Sequence, residues 1–372
     1  MVKLSHMIRP QKESNPLFKA SIHRAFTLVE VMVSMVVLAI MMMLIAQIIG
    51  TTQRSWRSAS SRLSQFREAR IAFDTITRNL RQATLNAYRD FHYAATDSNV
   101  PATNSPNETP DGYRRISELA FVSGQAKDLV KGAGVKTSSL SGHSVFFQAP
   151  LGVTDPDTSP KEGGRPKYEN LKHLLCGRGY FVQFGDDTDY LPAGLKSRLT
   201  VTSRFRLMEY QPPAEKNTIY DATDSWFNID PAYLRPVSDK IVGLILSPRL
   251  SSGDESISVG GVMQKPTSIA PDYSFDSRKK DGSGSAQGMQ HMLPPVVKVT
   301  MVALDDASMD QLAQGRNSKV SLNDINGAIA KFDKAAGYES DMQNLKRVLS
   351  SGKVNYRIFE STVVIPASRW AL

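Results

Sequence analysis

A single cysteine, Cys176, stands in a chain of 372 residues, so no disulfide can form within it and no Cys-x-x-Cys or Cys/His metal spacing exists. A lone cysteine of this kind reads as a small buried apolar residue. The six histidines, at 6, 23, 92, 143, 173 and 291, are scattered, with no two at ligand spacing. There is no HExxH, no GxSxG, no GxxxxGKS/T phosphate loop and no GxGxxG after a strand. The glycine pairs at Gly132 and Gly282 are too short to cradle a phosphate, and no tandem repeat is visible. These absences leave no constellation on which an enzyme could be argued, and no cofactor is called for. Excess charge is also missing where a nucleic-acid-binding domain would need it. Of the net charge of +9, residues 1–25 hold +4 and residues 51–90 hold +5, whereas residues 91–372 carry only +1. A domain-wide basic footprint is absent.

What is present is unevenly spread. From Phe26 to Ile49 only Thr27, Glu30, Ser34 and Gln47 are polar, and no proline occurs between Pro16 and Pro101. As a helix this run is about 36 Å long, enough to cross a hydrocarbon core of about 30 Å. It exceeds the roughly 7–15 apolar residues of a secretory signal peptide, and no Ala-x-Ala cleavage site closes it. A plain signal anchor fits the composition equally well. Glu30 is the anomaly, since a carboxylate in hydrocarbon costs on the order of 2.5–3.5 kcal/mol. Near a helix N-terminus the macrodipole favours that charge.

Beyond Gly50 the spacing predicts that the helix continues to about Ala87. Ala59, Phe66, Phe73, Leu80 and Ala87 recur every seven residues, with Leu63, Ile76 and Ala83 beside them on an arginine-rich helix. After Tyr88 the texture changes to turn-rich connections and strand-like runs, at Ile116–Ser123, Ser144–Ala149, Gly179–Phe184, Arg204–Tyr210, Lys240–Ser247 and Val296–Leu304. In the last of these Val297, Val299, Met301 and Ala303 share one face. Long polar stretches intervene at Val153–Lys167 and Ser251–Leu293; Ser321–Ser350 reads as helix, and a final strand follows it. Trp226, Phe227 and Trp370 read as packing or interface residues.

Arg24-Ala25-Phe26-Thr27-Leu28-Val29-Glu30, with the apolar run behind it, resembles the cleavage and methylation motif of type IV prepilins and type II secretion pseudopilins. The stretch Arg67–Tyr88 is similar to the stem of the minor pseudopilin J subunit. SELAFVSG, GHSVFFQAPLG, CGRGYFVQFGDD, RFRLMEYQPP and PPVVKVTMVALDDAS resemble the Verru_Chthon cassette protein C family of pilin-like proteins.

The resemblance implies an α+β fold: one long N-terminal helix, half membrane-embedded and half amphipathic, packed on an antiparallel sheet head with long loops. It divides the chain into a basic leader (1–25), a transmembrane or filament-core helix (26–50), an amphipathic stem (51–90) and an extracytoplasmic head (91–372). Prepilin peptidase cuts between Ala25 and Phe26, where the family usually has glycine in place of Ala25; Lys19 and Arg24 supply leader charge. Phe26 becomes the N-methylated terminus. Glu30, with Thr27, serves subunit assembly by meeting a neighbour's terminal amine.

Charge counting alone leaves the orientation open, because Arg54, Arg57, Arg62, Arg67 and Arg70 follow the apolar run. The motif places the leader in the cytoplasm and the head outside a bacterial inner membrane. Implied partners are prepilin peptidase, other pilin or pseudopilin subunits, an assembly platform protein and ATPase, and membrane lipid. A DNA contact through the stem arginines, as in some minor pilins, is outweighed by a solvated helix face. Some pseudopilins bind calcium in loops, which makes Asp186, Asp187 and Asp189 a candidate site, although no Glu follows at EF-hand spacing. The function implied is a minor pilin-like subunit assembled into, or at the tip of, a short type IV pilus or type II secretion-like filament. The alternative is a single-pass membrane-anchored binding protein that never enters a filament.

Overall fold

A computed structural model describes residues 27–368, apart from 94–108, 133–134, 156–160, 163–164, 167–170, 172, 187, 189–193, 195–202, 217–226, 252–257, 260–261, 264–266, 280–288 and 318. The chain divides into two compact units, residues 1–60 and 61–372. The fold is mixed α+β: an N-terminal apolar helix, then a head rich in antiparallel sheet.

Helix α1 spans Leu28–Gln65 and α2 spans Arg67–Arg81, with Phe66 as the N-cap of α2. The expected single helix to Ala87 is therefore corrected twice, by this break and by an end at Arg81. Gln82 and Ala83 turn back onto Asn79 and Leu80, and the N–H of Thr84 goes instead to the Gln148 carbonyl at 3.0 Å. A backbone donor claimed by a neighbouring strand cannot continue a helix. Tyr88–His92, read as the stem's end, is a strand (β1) paired with Gly112–Ile116 (β2).

Strands β3 (Val122–Gln125), β4 (Leu140–Pro150), β5 (Leu175–Gly185), β6 (Arg204–Tyr210) and β7 (Leu234–Asp239) follow, then β8 (Ile241–Arg249), β9 (Phe275–Asp276), β10 (Val296–Leu304) and β11 (Tyr356–Val364). Six form an antiparallel sheet in the order β7-β6-β5-β4-β3-β9, and three form a second in the order β8-β10-β11. The run expected as one strand at Ile116–Ser123 is split. Between β2 and β3 the Ser117 hydroxyl accepts the Leu119 N–H at 3.1 Å, and Gln148 Oε1 takes that of Ala120 at 3.0 Å, so side chains replace a ladder. The segment expected as one helix at Ser321–Ser350 is also two: α3 (Asp306–Ala313) precedes α4 (Leu322–Ile329) and α5 (Tyr338–Ser351). A Ser321/Asp324 capping box starts α4, and Phe332, buried in the intervening turn, ends the pair's continuity. Part of the polar stretch before Leu293 is core, because Ile269, Ala270, Tyr273 and Phe275 are buried.

Period-two alternation builds two apolar layers from the six-stranded sheet. Val145, Phe147, Tyr180, Val182, Phe205 and Leu207 join the main core with α2 and the three-stranded sheet. Phe146, Phe181, Met208 and Tyr210 point to a second cluster with Phe227 and Ile229. Val297, Val299, Met301 and Ala303 are all buried, as their spacing predicts. The two sheets meet at Gly142, where φ is 70° and an added Cβ would lie 2.5 Å from the Leu244 carbonyl oxygen. Beside it Ser141 Oγ donates to the Val242 carbonyl at 2.7 Å.

Helix α2 docks through Ala69, Ala72, Phe73, Ile76 and Leu80, all buried at helical spacing. One polar residue joins that stripe. Asn79 Nδ2 donates to the Tyr180 hydroxyl at 2.7 Å, the hydroxyl donates to Glu209, and Arg178 pairs with Glu209 at 3.3 Å. Truncating Leu80→Ala removes packing from a fully closed site and costs about 2–5 kcal/mol. Tyr180→Phe leaves Asn79 and Glu209 without their shared partner and costs about 1–3 kcal/mol. Denaturant titration of the full chain in detergent checks both.

His143 adds a pH dependence. Its Nδ1 accepts the Leu246 N–H at 3.0 Å while Nε2 faces the Phe332 carbonyl at 3.0 Å, the pattern of the neutral ring. Burial holds its pKa down to about 4, from an ordinary 6.5. The unfolded chain takes up a proton below about pH 6.5 that the folded chain refuses until about pH 4, so stability falls as pH drops through that window. The expected result is a falling melting temperature across it, with a shallower slope in His143→Gln.

Candidate assembly site at the start of the apolar helix

Helix α1 begins at Leu28 because Thr27 caps it. The Glu30 N–H donates to Thr27 Oγ1 at 3.3 Å, and Glu30 Oε2 reaches back to accept the Thr27 N–H at 3.1 Å and the Thr27 hydroxyl at 3.2 Å. This is a reciprocal capping box, T-x-x-E, which satisfies two backbone donors that a helix start leaves open. The carboxylate also sits at the positive end of the helix dipole. Its place in the chain thus has a local cause: Glu30 closes the first turn of the helix. Oε1 takes no hydrogen bond among the described residues.

Behind the cap the helix is apolar on every side. Leu28–Gln53 has a mean hydropathy of 2.7 and none of it is buried. Leu28, Met32, Leu38, Met42 and Ile48 lie at different angles around the axis, and each is more than half exposed. Ser34, the polar residue one turn past Glu30, returns its hydroxyl to the Val31 carbonyl at 2.8 Å. A surface helix of a soluble domain has one polar face; this one has none, so its surroundings must be lipid or other apolar helices.

Of the residues singled out from the sequence, Thr27 and Glu30 are brought together, whereas Lys19, Arg24, Ala25 and Phe26 lie outside the described residues. Asp187 and Asp189 lie outside them too. Asp186 is exposed and accepts the Thr188 N–H at 3.0 Å; the Thr188 donors hold its carboxyl below the usual range. Its backbone carbonyl, with that of Gly185, already accepts Arg206 Nη1, at 2.9 and 2.8 Å. Among the described residues no group of three metal-ligating side chains comes together. In the stem Arg67, Arg70, Arg78 and Arg81 are exposed, with Arg70 paired to Asp74 at 3.9 Å; the side chains of Arg54, Arg57 and Arg62 lie outside the described residues. Trp226 and Trp370 lie outside as well, and Phe227 packs in the second core cluster.

Two features escape a reading for chemistry. One is the capping role of Thr27, for which the T-x-x-E spacing is the signal. The buried Asn79–Tyr180–Glu209–Arg178 chain joins residues up to about a hundred and thirty positions apart and carries no local signal. Thr27→Ala removes the cap and weakens the first turn by about 1 kcal/mol. The expected observation is faster amide exchange at residues 28–30 in detergent, with the head's exchange unchanged.

Residues 21–46 match the prokaryotic N-terminal methylation motif. No curated protein and no solved structure matches the chain. The matched segment contains the capping pair and most of the apolar helix, and such a motif suits a structural subunit rather than an enzyme. Motif and helix together indicate a type IV pilin-like, membrane-anchored protein processed by prepilin peptidase, with other pilin subunits as partners.

Proposed function

We propose that the chain is a minor pilin-like subunit, similar to pseudopilin J and to the Verru_Chthon cassette proteins, that joins a short filament at or near its tip. The observation that carries this reading is the methylation motif at residues 21–46 set on a helix apolar all round and capped by Thr27 and Glu30. Such a helix is stable in two settings, a bilayer and a bundle of like helices, and assembly moves it from one to the other. Cleavage between Ala25 and Phe26 leaves an amine one residue before the cap. In the filament Glu30 of one subunit meets the terminal amine of its neighbour, which removes two charges that are each costly alone in an apolar bundle. An assembly ATPase and platform protein drive the extraction. The leader faces the cytoplasm and the head lies outside the inner membrane. The size of the head, about 280 residues, favours a tip or initiating position over a repeated one.

A second reading has one observation in its favour. Glu30 already has partners within its own chain, so it can be retained as a cap alone, in a membrane-anchored head that never enters a filament. The two readings differ in what Glu30→Gln does. Gln keeps the capping geometry but not the charge. In the filament reading it abolishes incorporation while leaving cleavage intact.

The first measurement is N-terminal peptide mass spectrometry on native membranes. The expected peptide begins at N-methyl-Phe26, and Ala25→Gly raises the cleaved fraction. A terminus at Met1, with Glu30→Gln behaving as wild type, overturns filament entry and leaves the anchored head.

A further inference from the structure

One end of the head gathers cations that nothing in the head neutralises. The loop after α3 packs on the loop after α5: Asn317 Nδ2 donates to the Gly352 carbonyl at 2.9 Å, and a Cβ added at Gly352 would lie 2.9 Å from that of Val320. This contact brings Arg316 and Lys319 of the first loop to Lys353 of the second and Arg357 at the start of β11. Lys346 and Arg347 precede them on the outward side of α5, whose buried side is Tyr338, Met342, Leu345 and Leu349. All six cations are exposed, and among the described residues none forms an ion pair. Arg357 lies over the Phe359 ring, 5.4 Å from its centre.

The acids at this end are already engaged. Asp239 pairs with Arg206 at 3.0 Å, Asp306 with Lys240 at 2.9 Å and Asp310 with Arg204 at 3.1 Å, which matches three charges with three. Glu68, Asp305 and Asp324 each accept a backbone N–H, from Asp239, Ser308 and Ser321. Counted in full, those three still leave the six cations in excess by three. The head as a whole is nearly neutral, so this excess is local.

The backbone fixes where in the head it lies. The Asp305 N–H donates to the Asn355 carbonyl at 3.1 Å and the Leu304 N–H to that of Lys240 at 2.9 Å. The next residue back, Asp239, donates its N–H to Glu68 in the first turn of α2. The cations are therefore at the end where α2 enters. Residues 54–66 join that end to the apolar run, and as a helix they span about 20 Å. The membrane that holds the run is within this reach. Lysines and arginines at an acidic lipid surface each multiply binding about fivefold, an attraction that fades over a Debye length of about 8 Å.

We propose that this end of the head docks on the headgroups of acidic phospholipid, through Arg316, Lys319, Lys346, Arg347, Lys353 and Arg357, with the stem tilting to bring them down. A lipid surface is favoured over a soluble polyanion because the chain's own apolar helix brings the membrane to these residues. The inference rests on the membrane anchor and not on filament entry.

The test compares lysine acetylation rates, read by peptide mass spectrometry, on the full-length chain in nanodiscs of phosphatidylcholine alone and of phosphatidylcholine with phosphatidylglycerol. Acetylation of Lys319, Lys346 and Lys353 slower by about fivefold or more in the acidic discs is expected. Lys216, exposed beyond the Tyr210 end of β6, opposite Arg204, keeps its rate. Salt at about 1 M, where the Debye length is about 3 Å, removes the difference. Arg316→Gln with Arg347→Gln removes two contacts, leaves the lysines as reporters and restores most of the lost rate. Circular dichroism and melting temperature establish that this variant is folded, and if it is not, the salt comparison decides. Equal rates in the two kinds of disc overturn the docking and leave the anchor standing, whereas a chain that does not enter the discs overturns both. Protection of the same lysines by duplex DNA or polyglutamate in neutral discs, with none from the acidic lipid, assigns the cations to a soluble polyanion and overturns lipid docking.

Discussion

The head depends on how α2 is held. Its stripe of Ala69, Ala72, Phe73, Ile76 and Leu80 fills the main core between the two sheets. Apolar contacts set how much free energy that docking yields, but they are tolerant of small slides along the axis. Asn79 is not. It lies in the same stripe, and its amide finds the Tyr180 hydroxyl, which is tied to Glu209 and through it to Arg178. A shift of one turn would leave the buried Asn79 amide without its partner on the sheet, so this contact sets the register of the helix. At the other end of α2 the Glu68 carboxylate accepts the Asp239 N–H at 3.0 Å, and Asp239 is paired with Arg206 at 3.0 Å. The helix is thus pinned to β5, β6 and β7 at both ends.

The N-terminal unit follows a different rule. No core sets its register, and its side chains are exposed along the whole apolar run. Its order comes from the backbone ladder and from one cap. Thr27 and Glu30 start the helix by satisfying each other, and the carboxylate sits where the dipole favours negative charge. A carboxylate satisfied within its own chain caps the helix without a second partner.

His291, left-handed at φ 58°, departs from the plainest backbone, as Lys240, Tyr273 and Lys353 do. Each places a β-carbon where few side chains go, and Tyr273 and His291 do so among buried residues. Strain of that kind persists only where the surrounding structure over-determines it.

The apolar helix and the strand-rich texture after it were legible in the residues themselves, and the cap carried a signal that went unread. A run from Phe26 to Ile49 with four polar members needs no tertiary information, and T-x-x-E names its own first turn. Alternation placed β6 and β10 at their observed limits, because both faces of those strands meet apolar layers and the period is unbroken. What failed were ends and interruptions. The stem stops at Arg81 because Gln148, more than sixty residues on, claims the next free N–H. Ile116–Ser123 breaks because Ser117 and Gln148 bond its backbone from outside the ladder. Periodicity reports which face of an element is buried, and that is a local property. Where an element ends, which polar groups pair across the core and which cavity is left between segments depend on partners distant in sequence, and only the folded chain brings those together.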